Sequence, residues 1–459
     1  MASQRSAGAS TLLREPRPVL RLALGSLVLA GLAAALWRPF APSPAGVAEA
    51  GRWFDAAHLA QVEAYREPRY LAGLAVLALR LAVPLAVALT PPGRRLVASL
   101  GARLGWHRPA LAAGGIVLAV VVATDLLVLP WQFWASYVHD GAFGLRTQGP
   151  WGWWRDWLVT ALPPWLLAAG LAAAGFALAA RLPRLWPEVG ALAAAGAVVA
   201  VVTLSPLLLE PLTLRTAPLE DGPLREEVRR VAAAAGRPDA EIVVADASRR
   251  TTRQNAYVSG LGATRRIVLY DTLVDAQPPS VVAQVVAHEL AHDRHGDLAR
   301  GALAGGAAVA LAVLGLGWLV RRRVRRGRQA HDADPRSAAL LLAVVVVAVN
   351  LAAPLERALS REVEAAADLG GLELTADPAG YRAQREAVAR ANLSDPDPPT
   401  WVRLLWSTHP PVVERLALGQ RWPVAWTGPM PSPLEGSGRA RSGVGEDTAQ
   451  VGEEALDDR

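Results

Sequence analysis

The sequence predicts a mainly α-helical, polytopic membrane protein of about seven transmembrane helices that carries a small α+β domain. Three observations predict it. Apolar residues make up 52% of the chain, the mean hydropathy is +0.23, and the apolar blocks approach the roughly 20 residues that a helix needs to cross a bilayer. Strand-like runs are confined to three short segments between residues 241 and 270. Among the hydrophobic blocks, the stretch VVAQVVAHELAHDRHGD (281–297) holds the densest histidine cluster, with nothing in it to break a helix.

Composition narrows the function classes. The 459 residues suffice for a large core or several domains. There is no cysteine, which excludes disulfides and Cys-based metal or redox sites. The net charge is +6, every Lys+Arg position is arginine, and the arginines cluster beside apolar spans. No basic stripe with interleaved aromatics is present, so nucleic acid is not an expected partner; a lipid bilayer is.

Taken in order, residues 1–18 are polar and basic, and 19–37 form a first span. A signal peptide competes for that segment, because Ala48-Glu49-Ala50 looks like a small-residue cleavage site. The apolar run is long for a signal core and the site lies far past it, so a retained helix is the reading adopted. Spans two and three are 70–89, with Arg80 and Pro84 inside, and 110–129, with Asp125. Ionisable residues at membrane depth usually face a polar interior, so Arg80 and Asp125 either pair or line a wet cavity. The turn-rich stretch 131–157 reads as an interfacial tryptophan belt. Spans four and five are 158–180 and 189–209, and composition turns polar at Glu210-Pro211.

An amphipathic helix follows over 219–235, closed by Gly236. EIVVAD (241–246) is a short strand, and NAYVS (255–259) and RIVLY (266–270) form a β-hairpin around Gly260 and Gly262. Spans six and seven are 302–320, stopped by the basic run RRRVRRGR at 321–328, and 337–354. Residues 360–374 are helical, 401–418 include STHPPVVERL, and the Pro-, Gly- and acid-rich tail is disordered. The domain plan is therefore 1–209 with five spans, 210–300 and 359–426 as two parts of one domain, 301–358 as spans six and seven between them, and the tail 427–459.

The motif at the centre is His288-Glu289-x-x-His292. One helical turn separates the two histidines, so both imidazoles can reach one Zn²⁺ at about 2.0–2.1 Å. Glu289, turned by about 100°, can reach a water on the metal without being a ligand and serve as general base. The motif also occurs by chance in unrelated helices, but its small apolar flanks suit a buried catalytic helix. His295 reads as a surface or supporting residue. A catalytic zinc needs a third protein ligand. Glu356, Glu362 and Glu364 are candidates; Glu364 and Asp368 share a helix face, so one could bind metal while the other orients a histidine. By spacing alone, a solvated acidic face explains them equally well.

H-E-L-A-H, S-R-E-V-E-A-A-A-D and S-T-H-P-P together resemble the integral-membrane zinc metalloproteases that include CAAX prenyl protease 1 and the HtpX heat-shock protease. YVHDGAFGLRTQGPWGWWRDWL and DASRRTTRQNAYVSG favour the CAAX type, although Leu145-Arg146 stands where Phe-Asn is usual. The resemblance implies a zincin-type α+β metalloprotease domain with one Zn²⁺ per chain. It makes Glu364 the third ligand beside His288 and His292, Asp368 its supporting partner, and His409 a stabiliser of the tetrahedral oxyanion. Asn255, Ala256 and Tyr257 would lie where an extended peptide adds to an edge strand. The expected function is a membrane zinc metalloendopeptidase acting on extended peptides or membrane-associated proteins. A multi-pass channel or transporter using Arg80 and Asp125, and a non-catalytic membrane scaffold, are the rival readings. Topology divides two lines of argument. Seven spans put the N-terminus and the 90–109, 181–188 and 321–328 loops on one side, which the positive-inside rule makes cytoplasmic, sending the protease domain outside. The resemblance implies the reverse. The charge argument is preferred, for a multi-pass protein of the cell membrane.

Overall fold

The computed structural model describes residues 49–422 except 209 and 261–263. The expected span at 19–37 and the tail at 427–459 lie outside the described residues. Six described helices are long and apolar enough to cross a membrane, and they coincide with expected spans two to seven. We label them with their neighbours in chain order: α1 Ala56–Leu89, α2 Pro91–Leu104, α3 Pro109–Phe133, α4 Pro150–Arg181, α5 Trp186–Leu208, then, after the first part of the domain, α9 Asp297–Arg325 and α10 Ala338–Thr375. Asp55 caps α1 by accepting a hydrogen bond from the His58 backbone N–H at 2.9 Å. α3 packs on α1 and α4, and α9 lies along α5.

Arg80 and Asp125 pair, and the pair lines a cavity. Their side chains lie 3.8 Å apart, Trp165 Nε1 donates to Asp125 at 2.6 Å, and both residues line a cavity of about 580 Å³ among α1, α3, α4 and α10. The loops between spans meet at one end of the bundle. Trp186 Nε1 donates to Asp332 at 2.9 Å, Arg321 donates to the Arg184 carbonyl at 2.6 Å, and the Arg336 guanidinium sits 4.9 Å from the Trp106 ring.

Two sequence expectations change. The stretch expected to be turn-rich is helical well past Trp131: α3 runs on through a π-helical segment, Trp134–His139, and a last turn, Asp140–Ala142. Aromatic rings stack along this wider turn, Phe133 on Tyr137 at 4.9 Å and Trp134 on His139 at 4.7 Å, so the rings are used for packing as well as for a belt. Trp151, 85% exposed, fits the belt. In addition, span seven and the helix at 360–374 are one continuous helix, α10, so the membrane and the site share an element.

The domain's elements are β1 Thr216–Pro218, α6 Pro223–Ala234, β2 Glu241–Ala245, β3 Ala256–Ser259, β4 Arg266–Tyr270, α7 Asp271–Ala276, α8 Pro279–His295, α11 Pro378–Ala391, α12 Thr400–Leu405 and α13 Val412–Arg421. Sheet order is β1-β2-β4-β3, with β2 and β4 parallel and the other pairs antiparallel. β1 was not expected; with three exposed residues it carries little apolar pattern. The hairpin forms as expected and leaves β3 on an edge. Val228 and Val231 of α6, Ile267 and Leu269 of β4, and Val282, Val286 and Leu290 of α8 make one core, which fixes α8 against the sheet.

Candidate active site

α8 starts at Pro279, whose missing N–H costs nothing in a first turn, and stops at Gly296 in the left-handed region (φ 66°), so the helix expected to run unbroken through 281–297 breaks there and α9 begins at Asp297. Ten of its residues are buried, His288 among them. The His288 and His292 rings stand on one face with centroids 4.9 Å apart.

α10 crosses α8 at very short range, and the sequence pays for this contact with two helical glycines. A β-carbon on Gly370 would stand 2.8 Å from Ala291 Cβ, and one on Gly371 would stand 3.2 Å from the His288 backbone nitrogen. That closeness brings Glu364 to the histidines: its Oε2 is 3.1 Å from His288 Nε2 and its Oε1 is 3.6 Å from His292 Nε2. One donor atom from each of His288, His292 and Glu364 lies within 4.8 Å of the others. The other candidate carboxylates are elsewhere: Glu356 pairs with Arg357 at 2.7 Å and Glu362 is exposed. Two imidazole nitrogens and one carboxylate oxygen are a donor set that suits a divalent transition metal.

Asp368, one turn beyond Glu364 and 1% exposed, approaches His288 Nδ1 at 3.0 Å. The approach is off-line for a hydrogen bond, so His288 Nδ1 is close to the carboxylate without a well-formed bond. Asp368 is gripped by Arg415, whose Nε and Nη2 both donate at 2.7 Å, and by Arg385. Burial alone would lower the Arg415 pKa; Asp368 beside it holds it above the ordinary value. On the other histidine, Asp297 Oδ2 lies 2.9 Å from His292 Nδ1. His295 is more distant from the same carboxylate, at 3.9 Å. Burial pushes the Glu289 carboxyl up, although His288 and His292 pull against it. His409 is half exposed, yet its Nε2 is 3.2 Å from Glu364 Oε2. Arg361 of α10 anchors its loop by donating to the Arg403 and Ser407 carbonyls at 2.7 and 3.0 Å.

The edge strand is one residue shorter than expected. Asn255 precedes β3, and its carbonyl accepts from Tyr270 N–H at 3.0 Å. Since antiparallel ladders alternate, residues 255, 257 and 259 turn their backbone groups towards β4, while Ala256, itself buried, and the partly exposed Val258 turn theirs to the outer, unpaired edge of the sheet. The Tyr257 side chain packs with Val268 and Tyr270 on the sheet face turned from α8, and the Ala256 side chain packs in the core shared with α8. Sequence reasoning missed Asp297, Arg385 and Arg415. Arg415 lies inside the quoted STHPPVVERL run and Asp297 closes the quoted 281–297 stretch; Arg385 carries no local signal.

Residues 218–422 match the family described as Peptidase family M48. A protein named Uncharacterized metalloprotease YhfN from Bacillus subtilis (strain 168) is 27% identical over 307 residues, 66% of this chain and 72% of that one. A CAAX prenyl protease 1 homolog from Oryza sativa subsp. japonica is 30% identical over 192 residues, 40% of this chain and 43% of that one. The chain thus spans less than half of the rice relative. In fold, the crystal structure of S. mikatae Ste24p superposes with a TM-score of 0.74 at 18% identity, covering 88% of this chain and 99% of that chain. These likenesses bear out the resemblance read from the sequence, and with the six membrane-length helices they identify a membrane metalloprotease with a metal cofactor.

Proposed function

We propose that this membrane metalloprotease is a zinc endopeptidase of the cell membrane that cleaves extended segments of peptides or membrane-associated proteins, in the manner of the CAAX-type proteases. The observation that carries the reading is the meeting of His288, His292 and Glu364 from two helices, with Glu289 on the same buried turn. His288, His292 and Glu364 would hold one zinc per chain. When bound, zinc polarises the scissile carbonyl and lowers the pKa of water towards 7.

The chain's own residues do the rest. Glu289, whose burial keeps its proton affinity above that of a free carboxylate, takes a proton from the attacking water and returns it to the leaving amine. His409, on its anchored loop, donates to the oxygen on which negative charge develops. Asp368, fixed by Arg415 and Arg385, orients His288, and Asp297 orients His292. The substrate lies as a fifth strand, antiparallel or parallel, beside β3, paired with the outward groups of Ala256 and Val258, with Asn255 and Tyr257 flanking them. Turnover of a peptide library by the detergent-solubilised chain tests this reading. Cleavage should vanish with a chelator and return with added zinc; cleavage that persists after complete metal removal refutes it.

A further inference from the structure

The open edge of β3 does not continue towards residue 254. By the same alternation that turns Ala256 and Val258 outward, the Gln254 backbone faces the edge too. Both of its groups are taken. Gln254 N–H donates to Asn392 Oδ1 at 2.9 Å, and Asn392 Nδ2 donates to the Gln254 carbonyl at 2.9 Å. A carboxamide has the same donor and acceptor as a peptide unit, so Asn392 fills the place that the next residue of an added strand would take.

Asn392 is held firmly in that place. It caps α11, its backbone N–H donating to the Val388 carbonyl at 3.0 Å. Its own carbonyl accepts from Arg66 at 3.2 Å and Arg253 at 3.4 Å. The following residue, Leu393, is 5% exposed and has a left-handed backbone (φ 46°) that a leucine adopts only when its surroundings impose it. Arg66 Nε donates to the Leu393 carbonyl at 2.6 Å, and Leu393 packs with Val62, Tyr65 and Leu145. Arg253 is tied in turn to Asp140 and Tyr65. The plug is therefore built on α1 and the extension of α3, the first two described helices of membrane length, and cannot swing away independently of them.

We infer that Asn392 is a specificity-determining stop: it closes the β3 edge at Gln254 and confines substrate pairing to Ala256 and Val258, which fixes the register at which a peptide meets the metal ligands. The inference rests on the edge-strand reading above. Strand registers slip in steps of two residues when the same side chains must keep their face, so an unplugged edge admits a second register two residues away.

The test is mass spectrometry of products from extended peptides of defined sequence, cut by the full zinc-loaded chain. The wild type should cut each peptide at one position. Asn392→Ala should add a second position two residues away, because pairing to the newly available Gln254 groups favours that register by about two- to tenfold (about 0.5–1.5 kcal/mol), enough to make it competitive. Asn392→Asp keeps the size and the acceptor but loses the donor, so it should give an intermediate share, and it carries the test should the alanine variant not fold. Val258→Pro removes an outward donor without touching the β4 ladder and should abolish cleavage. If Val258→Pro is inactive while both Asn392 variants keep the single wild-type position, the stop is refuted and the edge strand survives. If folded, zinc-loaded Val258→Pro cleaves normally, the edge-strand reading falls and the stop falls with it.

Discussion

Gly370→Ala offers a test of the helix crossing on which the ligand set depends. In an ordinary helix this change is favourable by about 0.5–1 kcal/mol, because alanine loses less backbone entropy than glycine. Here the new methyl would stand 2.8 Å from Ala291 Cβ, against a normal carbon–carbon contact of about 3.5–4.0 Å. α8 cannot retreat, since Val282, Val286 and Leu290 on its other side are packed into the sheet core. Overpacking of this kind costs about 1–3 kcal/mol, so it outweighs the propensity gain and the variant should melt below the wild type. Relief comes by moving α10 outward, which draws Glu364 from the imidazoles. A misplacement of about 1 Å costs about 10²-fold in rate, so turnover should fall several-fold to 10²-fold. Gly301→Ala on α9 is the control, because a methyl there meets nothing within 4 Å and should be neutral or stabilising. Tryptophan-fluorescence melting in detergent, zinc per chain and peptide turnover read all three quantities. If Gly370→Ala melts at or above the wild type and keeps full turnover, the close crossing is not what positions Glu364.

Three further perturbations separate the roles of the site residues and fix the topology. Glu364→Ala should lose zinc and turnover together, whereas Glu289→Gln should keep its zinc and lose about 10²–10⁴-fold in rate; loss of zinc from Glu289→Gln, measured by atomic emission, would overturn the assignment of the base. Arg415→Met removes one of two arginine partners from buried Asp368, and breaking a buried ion pair costs about 3–5 kcal/mol, so thermal melting should drop sharply; an unchanged melting point would mean that Arg385 suffices without it. Single cysteines introduced in the 321–336 loop and in the C-terminal tail, labelled from outside intact cells, should react in the tail alone if the basic loops are cytoplasmic, and labelling of the loop alone reverses the topology.

What the sequence made legible was whatever its physics encodes locally. An apolar run of membrane length needs no partner to be recognised, so each expected span from 70–89 onward coincides with a helix long and apolar enough to cross a membrane. His288 and His292 share a face because of helical periodicity alone, and the β3–β4 hairpin announces itself by two strand-like runs about a turn containing Gly260, whose φ is +82°. The wide π-helical segment at Trp134–His139 was misread because a tryptophan-rich sequence has the same composition whether its rings belt a membrane or stack on each other. Glu364 stood between. Periodicity paired it with Asp368, but only the glycines at 370 and 371, read as a close crossing, could have told that α10 meets α8 there rather than facing solvent.

Asn392 was the least legible of all, for a physical reason. A carboxamide has no fixed meaning in sequence; it is a cap, a turn former or a peptide mimic according to what stands opposite, and here the partner is 138 residues away. The surrounding ARANLSDP reads simply as the end of a helix. Yet the strand it faces gives its position a purpose. An exposed sheet edge invites any extended chain to pair, and proteins usually block such edges along their whole length. A protease that recruits its substrate by strand addition has to leave some of the edge open. Ala256 and Val258 take no backbone partner on that side among the described residues, while Gln254, two residues earlier, is sealed by a group with the hydrogen bonds of a peptide but no chain to extend. The length of the opening is then set by a residue that touches neither the metal ligands nor Glu289, which makes it the position at which cleavage register can be altered while the chemistry stays intact.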